Sequence, residues 1–484
     1  MSKLIAALVL IMTAILMVAP VSAQGPEMIP LKNDGKERVC LDCHRFPNIN
    51  TNEGIMTSQA GCSECHGQAA LERKVNGRSV SLTVTLESFK KNRHAVVACV
   101  QCHTDVARSP HKSLTGAQCL GCHPVHGEGS VGDPHLRISC QSCHRQSQFT
   151  ILDRRQDRIR LSSLDDKQIP LALTNHALPD TKDKGLCLKC HFPKNQVGAA
   201  ASVLPSKSFL CLLCHNAPLS IGHPLFWGAF IILILGVVLT VIFWFQGSVQ
   251  GEEQSLHRKI SFSSEAVWSS LFSRQAGPIL KTIFFDIFLQ RRILQESVKR
   301  WSIHSLIYLS MLLRFGLSLF TYFAFRIGPR SALAQALIDK NNPFVAFSND
   351  FLGLLILLGL ILAFTQRFVF KPPHSLSEGQ DNWAIGIIGV LVILGFMVEG
   401  VRILITQIPA EKAVYSFIGY PLSNLFSWIP GDWQSWYVLL WYAHAVVGAV
   451  FIAGLPFGKM RHIILTPLTL ILNTKRKVPC PKKS

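Results

Sequence analysis

The sequence predicts a chain in two unlike parts, an exported segment of short helices and loops fused to an all-α bundle of five membrane-spanning helices. Three observations carry this. Cys-x-x-Cys-His occurs seven times between Cys40 and His215. Five apolar stretches of membrane-crossing length follow residue 223. Near Gly222 the composition changes from a region rich in Gly, Pro, Ser, Asp and Lys and poor in aromatics to one dominated by Ile, Leu, Val and Phe.

The motifs are Cys40, Cys43 and His44; Cys62, Cys65 and His66; Cys99, Cys102 and His103; Cys119, Cys122 and His123; Cys140, Cys143 and His144; Cys187, Cys190 and His191; and Cys211, Cys214 and His215. This is the attachment signature of c-type haem. The two-residue spacer lets two thiols reach the two vinyl groups of one porphyrin, and the adjacent histidine ligates the iron. Fourteen of the fifteen cysteines are used in this way, so a disulfide framework has no material; only Cys480 stands apart. Zinc knuckles would need further ligands at regular spacing, and the sequence does not supply them. The predicted fold class is therefore a periplasmic multihaem cytochrome c domain, with short helices and loops around stacked haems, fused to an all-α five-helix transmembrane domain. With so many haems in residues 24–222, the porphyrins themselves would form the apolar interior.

Residues 1–23 read as a secretory signal peptide, with Lys3 before the apolar run Leu4 to Val18 and small residues at Val21-Ser22-Ala23. The expected divisions are the signal at 1–23, a heptahaem segment at 24–222, a membrane domain at 223–472 and a basic tail at 473–484. The formal charge of +19 does not indicate nucleic-acid binding. Residues 24–222 hold 24 Lys and Arg against 17 Asp and Glu, and the two propionates of each haem would cancel that excess. The remaining positive charge lies beside the apolar stretches, where it reports topology.

Those stretches are 224–245, 303–325, 351–370, 383–408 and 436–457. With the haem segment outside the bacterial inner membrane, the loops 246–302, 367–382 and 458–484 become cytoplasmic. They hold seventeen Lys and Arg, against four in the opposite loops 326–350 and 409–435. The C-terminus is then cytoplasmic. Ile279 to Ile293 reads as one helix lying in the membrane interface. His257, His374 and Cys480 read as surface residues.

Histidine in a span is rare without a task. The second span runs outward and the fifth inward, so His304 and His462 meet at the same cytoplasmic depth and predict a bis-histidine b-type haem site. His444 lies eighteen residues before His462, about 27 Å along a helix, toward the periplasmic side. At its depth the second span offers Arg314, which cannot ligate iron. His444 is open to four readings: a ligand of a second b haem, a quinone contact, a hydrogen bond to a propionate, or a polar packing residue.

The stretch from Phe284-Phe285-Asp286-Ile287-Phe288-Leu289-Gln290-Arg291-Arg292 through Trp301-Ser302-Ile303-His304 resembles the cytochrome b family of the respiratory nitrate reductase gamma subunit. So do Glu399-Gly400-Val401-Arg402-Ile403, Trp441-Tyr442-Ala443-His444 and Leu455-Pro456-Phe457-Gly458-Lys459-Met460-Arg461-His462. The resemblance covers about residues 224–472 and is closest to the branch serving heterodisulfide-reductase-like complexes. It implies five helices, haem between the second and fifth, electron exchange with menaquinone or a similar quinone, and a cytoplasmic iron–sulfur partner. It also implies two histidines on each of those two helices, and Arg314 stands where the second histidine of helix two is expected, which leaves one or two b haems. Residues 24–222 resemble multihaem c-type cytochromes generally.

Low-spin haems need a second axial ligand, and the exported segment offers six histidines outside the motifs: His94, His111, His126, His135, His176 and His223. His94 and His135 repeat one arrangement, each five residues before the first cysteine of a motif, Cys99 and Cys140. Seven irons against six histidines leave one iron for Met28, Met56 or an open position. Among membrane charges, Glu399 is a candidate acceptor of a quinol proton, and Arg314 or Arg402 a partner for it. These features predict a quinol:cytochrome c oxidoreductase-type electron-transfer subunit, passing electrons between the quinone pool, by way of b haem, and periplasmic cytochromes or a reductase. The alternative is a periplasmic reductase of a small nitrogen or sulfur oxyanion, working at an open haem.

Overall fold

The computed structural model describes residues 48–69, 71–75, 78–104, 106, 119, 122–123, 133–144, 150–154, 157–161, 185–245, 276–329, 331–370 and 379–476. The signal-like residues 1–23, the first motif with Cys40, Cys43 and His44, and Met28, His111, His126, His176, His257, His374 and Cys480 lie outside the described residues, as does the side chain of His144. Two compact units are formed, one drawn from 1–123, 144–149 and 162–181, the other from 124–143, 150–161 and 182–484. Residues 182–222, on the N-terminal side of the composition break, thus cluster with the membrane helices.

In the first unit, the helix Asn52–His66 carries the second motif at its C-terminal end. Thr51 caps its start by accepting from Gly54 N at 3.2 Å, and Glu53 in the first turn complements the helix dipole. An antiparallel hairpin follows, Glu72–Val75 with Arg78–Ser81, in the register Glu72 opposite Ser81. The third motif begins on a single helical turn, Cys99–Cys102, and Gln59 ties that turn to the preceding helix by donating to Ala95 O at 2.8 Å and Val97 O at 3.2 Å.

The second unit adds the helix Cys140–His144 and a second antiparallel hairpin, Thr150–Asp153 with Arg158–Leu161. The composition predicted helices and loops here. The hairpin forms because Leu152 pairs with Ile159, Arg160 reaches Asp153 at 2.8 Å, and Asp157 takes the left-handed conformation (φ 51°) that the connection requires.

Among the described residues, five helices are long and apolar enough to cross a membrane. They run Pro224–Phe245, Val298–Ile327, Pro343–Phe364 with a π-helical extension Thr365–Val369, Gly379–Thr406 and Trp433–Gly454. Ile231, Ile232, Ile234, Leu235, Val238 and Leu239 are exposed on the first, the arrangement that lipid contact demands. The third span starts eight residues before the expected 351. Asn342 caps it, accepting from Phe344 N at 3.0 Å, and Pro343 occupies the first helical position, where its missing N–H costs nothing. The second and third spans pack closely, and a Cβ at Gly359 would sit 2.7 Å from Ile307 Cγ1.

The single interfacial helix expected over Ile279 to Ile293 is broken. Ala276–Lys281 continues into a π-helical Thr282–Phe288, Gln290 turns left-handed (φ 52°), and Arg291–Glu296 starts afresh. Trp301 Nε1 donates to Leu289 O at 2.9 Å and holds the break. The fifth span likewise stops at Gly454, and a new helix begins at His462 and runs to Arg476. His444 and His462 therefore do not share one straight helix.

Candidate cofactor sites

Among the described residues, eight histidines face one another in four pairs. In the first unit, His94 Nε2 lies 3.4 Å from His123 Nε2, with ring centroids 5.7 Å apart. Within the second unit, His135 faces His191, His215 faces His444 and His304 faces His462, each at 6.3 Å between centroids. An iron held by two imidazoles takes a bond of about 2 Å to each nitrogen, which spaces the ring centroids ~6 Å apart. The three pairs of the second unit match that span, and His94 with His123 is somewhat tighter. Among the described residues, no group of three or more His, Cys, Asp or Glu gathers around one point. Two-ligand sites are what a porphyrin uses, because its four nitrogens supply the other positions.

Several rings are oriented through their second nitrogen. His66 Nδ1 contacts Leu82 O at 3.0 Å, His191 Nδ1 contacts Ala200 O at 3.1 Å and His304 Nδ1 contacts Gln290 Oε1 at 2.9 Å. A proton on Nδ1, donated to an oxygen, leaves Nε2 as the metal ligand. Gln290 was not singled out as a site residue in the sequence, although it lies inside the Phe-Leu-Gln-Arg-Arg stretch. Its left-handed backbone aims the amide at His304.

The distal candidates fall into place unevenly. His94 and His135 stand five residues before the third and fifth motifs, yet each faces the histidine of the motif after that, His123 and His191. His223 accepts from Leu225 N at 3.3 Å and its ring lies 6.4 Å from that of Tyr442. Met56 is exposed on the outer face of its helix.

The motif thiols differ in how far the chain covers them. Cys65 and Cys122 are exposed while their motif partners Cys62 and Cys119 are half-buried, and Cys140 and Cys187 are exposed beside the more buried Cys143 and Cys190. In the second motif Cys62 is the inward one, hydrogen-bonded to Cys99 of the third, which lowers Cys62 and raises Cys99; Cys65 is left at the open end of the helix. Cys122 stands in a turn beside an exposed His123. Burial pushes the Cys102, Cys143 and Cys190 thiols up. Cys43, with the rest of the first motif, lies outside the described residues.

The seventh motif is built into the membrane bundle. Ser208 caps the short 3-10 helix Phe209–Leu213 by accepting from Leu210 N at 3.3 Å. Leu210 joins one buried apolar cluster with Phe226 and Ala229 of the first span, Leu391 of the fourth, and Ala445 and Ala449 of the fifth. Burial raises the Cys211 and Cys214 thiols and pushes His215 well below its ordinary value, leaving a neutral imidazole, the form that binds metal. Arg314 Nε donates to Cys214 O at 2.9 Å, and its two Nη atoms reach Asn349 O and Oδ1 at 3.4 Å each.

The segment after the sixth motif is fastened to the same bundle. Asn195 N donates to Gln434 Oε1 at 2.9 Å and Gln434 Nε2 donates back to Asn195 O at 2.8 Å. Asp157 receives Arg137 and, at 2.9 Å, Lys412 Nζ from the loop before the fifth span.

Glu399 Oε1 is held by Arg402 Nη2 at 2.6 Å and Ser416 Oγ at 3.3 Å, and Arg402 Nη1 also donates to Asn341 Oδ1 at 2.8 Å. Sequence reading missed Asp350, which is buried and accepts from Ile418 N at 2.7 Å and Gly419 N at 3.1 Å. It lies one residue before the expected third stretch; the Asn342-Pro343 start signal could have found it.

Over its C-terminal half the chain is similar to the E subunit of dihydromethanophenazine:CoB–CoM heterodisulfide reductase of Methanosarcina thermophila, 26% identical over 263 residues, or 51% of this chain and 88% of that protein. Its counterpart in Methanosarcina barkeri is 26% identical over 255 residues, again 51% and 88%. A shorter match is to the EtfAB:quinone oxidoreductase of Syntrophomonas wolfei, 31% identical over 142 residues, 27% of this chain and 20% of that protein. No protein-family profile matches the chain, and neither does any solved structure.

Proposed function

We propose that this chain is a membrane-bound electron-transfer protein that works between a quinone-like carrier in the bilayer and redox partners outside it, using one b-type site in the bundle and c-type haems on the seven motifs. The observation that carries this is the facing of His304 and His462 at the spacing of a bis-histidine iron, with the sequence similarity to a heterodisulfide reductase subunit and a quinone oxidoreductase in support. Haem iron, when bound, supplies reversible one-electron exchange.

The chain's own residues do the rest. His304 and His462 hold the b-type iron, and Gln290 fixes the tautomer of His304. The motif cysteines, from Cys40 and Cys43 through to Cys211 and Cys214, fasten c-type porphyrins, with His44, His66, His103, His123, His144, His191 and His215 as first axial ligands. His94 and His135 supply second ligands to the irons of His123 and His191. Glu399 is committed to Arg402, so the pair is assigned to positioning the fourth span against Asn341 and Ser416. The distribution of Lys and Arg supports an inner-membrane orientation with the motifs periplasmic and the C-terminus cytoplasmic. The relatives are named as one subunit of a reductase, which supports a partner subunit, and the sequence resemblance makes a cytoplasmic iron–sulfur protein our assignment for it.

The test uses the purified full-length haem-loaded protein in detergent. A menaquinol analogue is expected to reduce both b-type and c-type haem, followed by their separate absorption bands. Absence of b-type haem from the preparation, or no reduction by any quinol, overturns the proposal.

A further inference from the structure

Resting on the electron-transfer reading above, we propose that His444 of the fifth span is the second axial ligand of the c-type haem carried by Cys211, Cys214 and His215. This covalently held haem lies inside the membrane bundle, where a second b haem would otherwise be sought.

Four observations bear on this point. The rings of His215 and His444 stand 6.3 Å apart at an interplanar angle of 28°, the span two imidazoles keep across an iron. Both rings are buried, and the Nδ1 of each has no hydrogen-bond partner among the described residues, so neither is tied at that nitrogen as His191 and His304 are. Gly395 of the fourth span approaches the His444 imidazole: a Cβ there would lie 3.5 Å from its Cε1, and a larger side chain would press on the ring. On the second span, the position level with His444 is Arg314, whose guanidinium grips the backbone carbonyl of Cys214 instead of an iron.

The chemistry closes without a further reagent. Each thiol of Cys211 and Cys214 adds across a porphyrin vinyl group; sulfur bonds to the inner carbon, the hydrogen goes to the outer carbon, and nothing is released. His444 can serve one iron only, so its use by the seventh motif leaves the bundle a single b-type site at His304 and His462. The two sites are offset by the ten residues from His304 to Arg314, about 15 Å along the second span. His444 also supplies the seventh second ligand, which the six histidines of the exported segment could not.

The experiment compares wild type with His444→Ala and His444→Met in the full-length haem-loaded protein. Three measurements are made: pyridine haemochrome ratios, covalent haem retained on a denaturing gel, and low-temperature EPR with and without cyanide. Wild type is expected to give c to b haem at seven to one. His444→Ala is expected to retain covalent haem and b haem while one c haem becomes high-spin and binds cyanide. His444→Met, which guards against a folding defect, is expected to keep that haem six-coordinate at a raised potential. A wild-type ratio of seven to two, or loss of b haem from His444→Ala with every c haem still low-spin, overturns the proposal. Failure of quinol to reduce the protein would leave these spectra unchanged and would count against the functional reading alone.

Discussion

Arg314 and Cys214 are joined by a 2.9 Å hydrogen bond, from the guanidinium Nε of a membrane helix to the backbone carbonyl of the seventh Cys-x-x-Cys-His motif. Arginine suits this place because its fork of donors serves three acceptors at once, Cys214 O and both oxygens of Asn349. Replacement by Met would take from the Cys214 carbonyl the donor that Arg314 gives it, at about 1–3 kcal/mol. Arg314→Met should therefore lower the temperature at which the detergent-solubilised protein loses its low-spin c-type spectrum, and Arg314→Lys should recover only part of that loss. Equal melting curves for Met and wild type would remove Arg314 from its positioning role.

Gln290→Ala should act on the b-type site alone. Loss of the oxygen that faces His304 Nδ1 frees the imidazole to rotate, and such outer partners are worth about 10–100-fold in metal-site affinity. Reconstitution titrations should show weaker retention of b haem with the c-type content unchanged.

Gly198 is held at φ +71°, and a Cβ built on it would lie 2.2 Å from Ile405 O. Gly198→Ala must push the loop away from the end of the fourth span, in addition to a left-handed penalty of about 1–2 kcal/mol. Faster hydrogen exchange across residues 195–201, together with easier proteolysis there, is the expected outcome.

Asp432 caps the fifth span by accepting from Ser435 N at 3.2 Å and Ser435 Oγ at 2.7 Å. Asp432→Ala should cost about 1 kcal/mol of stability. The hydrogen bond from Ser435 holds the carboxyl below its usual range, so the folded value lies under the unfolded one. The contribution is then complete above the unfolded value of about 3.9 and disappears as pH falls through the folded value. Asp432→Asn should keep most of the cap while abolishing this acid-side slope, measured as stability against pH.

The parts legible in the sequence are those with a local signature. Seven motifs and five apolar stretches announce themselves by spacing and length, and His304 with His462 could be matched because antiparallel spans bring their ends to one depth. Pairings between distant segments leave no such trace. His94 and His135 sit beside one motif and face the histidine of the next, a crossing that only the folded chain reveals. The spacing within a motif is equally blind to which thiol turns inward, as Cys62 does and Cys65 does not. His444 could not be matched because its partner belongs to a segment expected to stand outside the bundle. The turn at Gln290 was silent too, since nothing about glutamine signals a left-handed residue. The start of the third span, by contrast, was written plainly in Asn342-Pro343 and was placed too late by hydropathy alone.

The packing of residues 182–222 against the spans makes the border at Gly222 a border of composition and not of architecture. Severing the chain there would strip Leu210 of its cover and part Asn195 from Gln434. Neither half is a cassette. A soluble fragment ending at Gly222 would carry a sticky underside, and a foreign membrane anchor could accept the motif-bearing segment only if it already offered counterparts of Arg314, Lys412, Gln434 and His444.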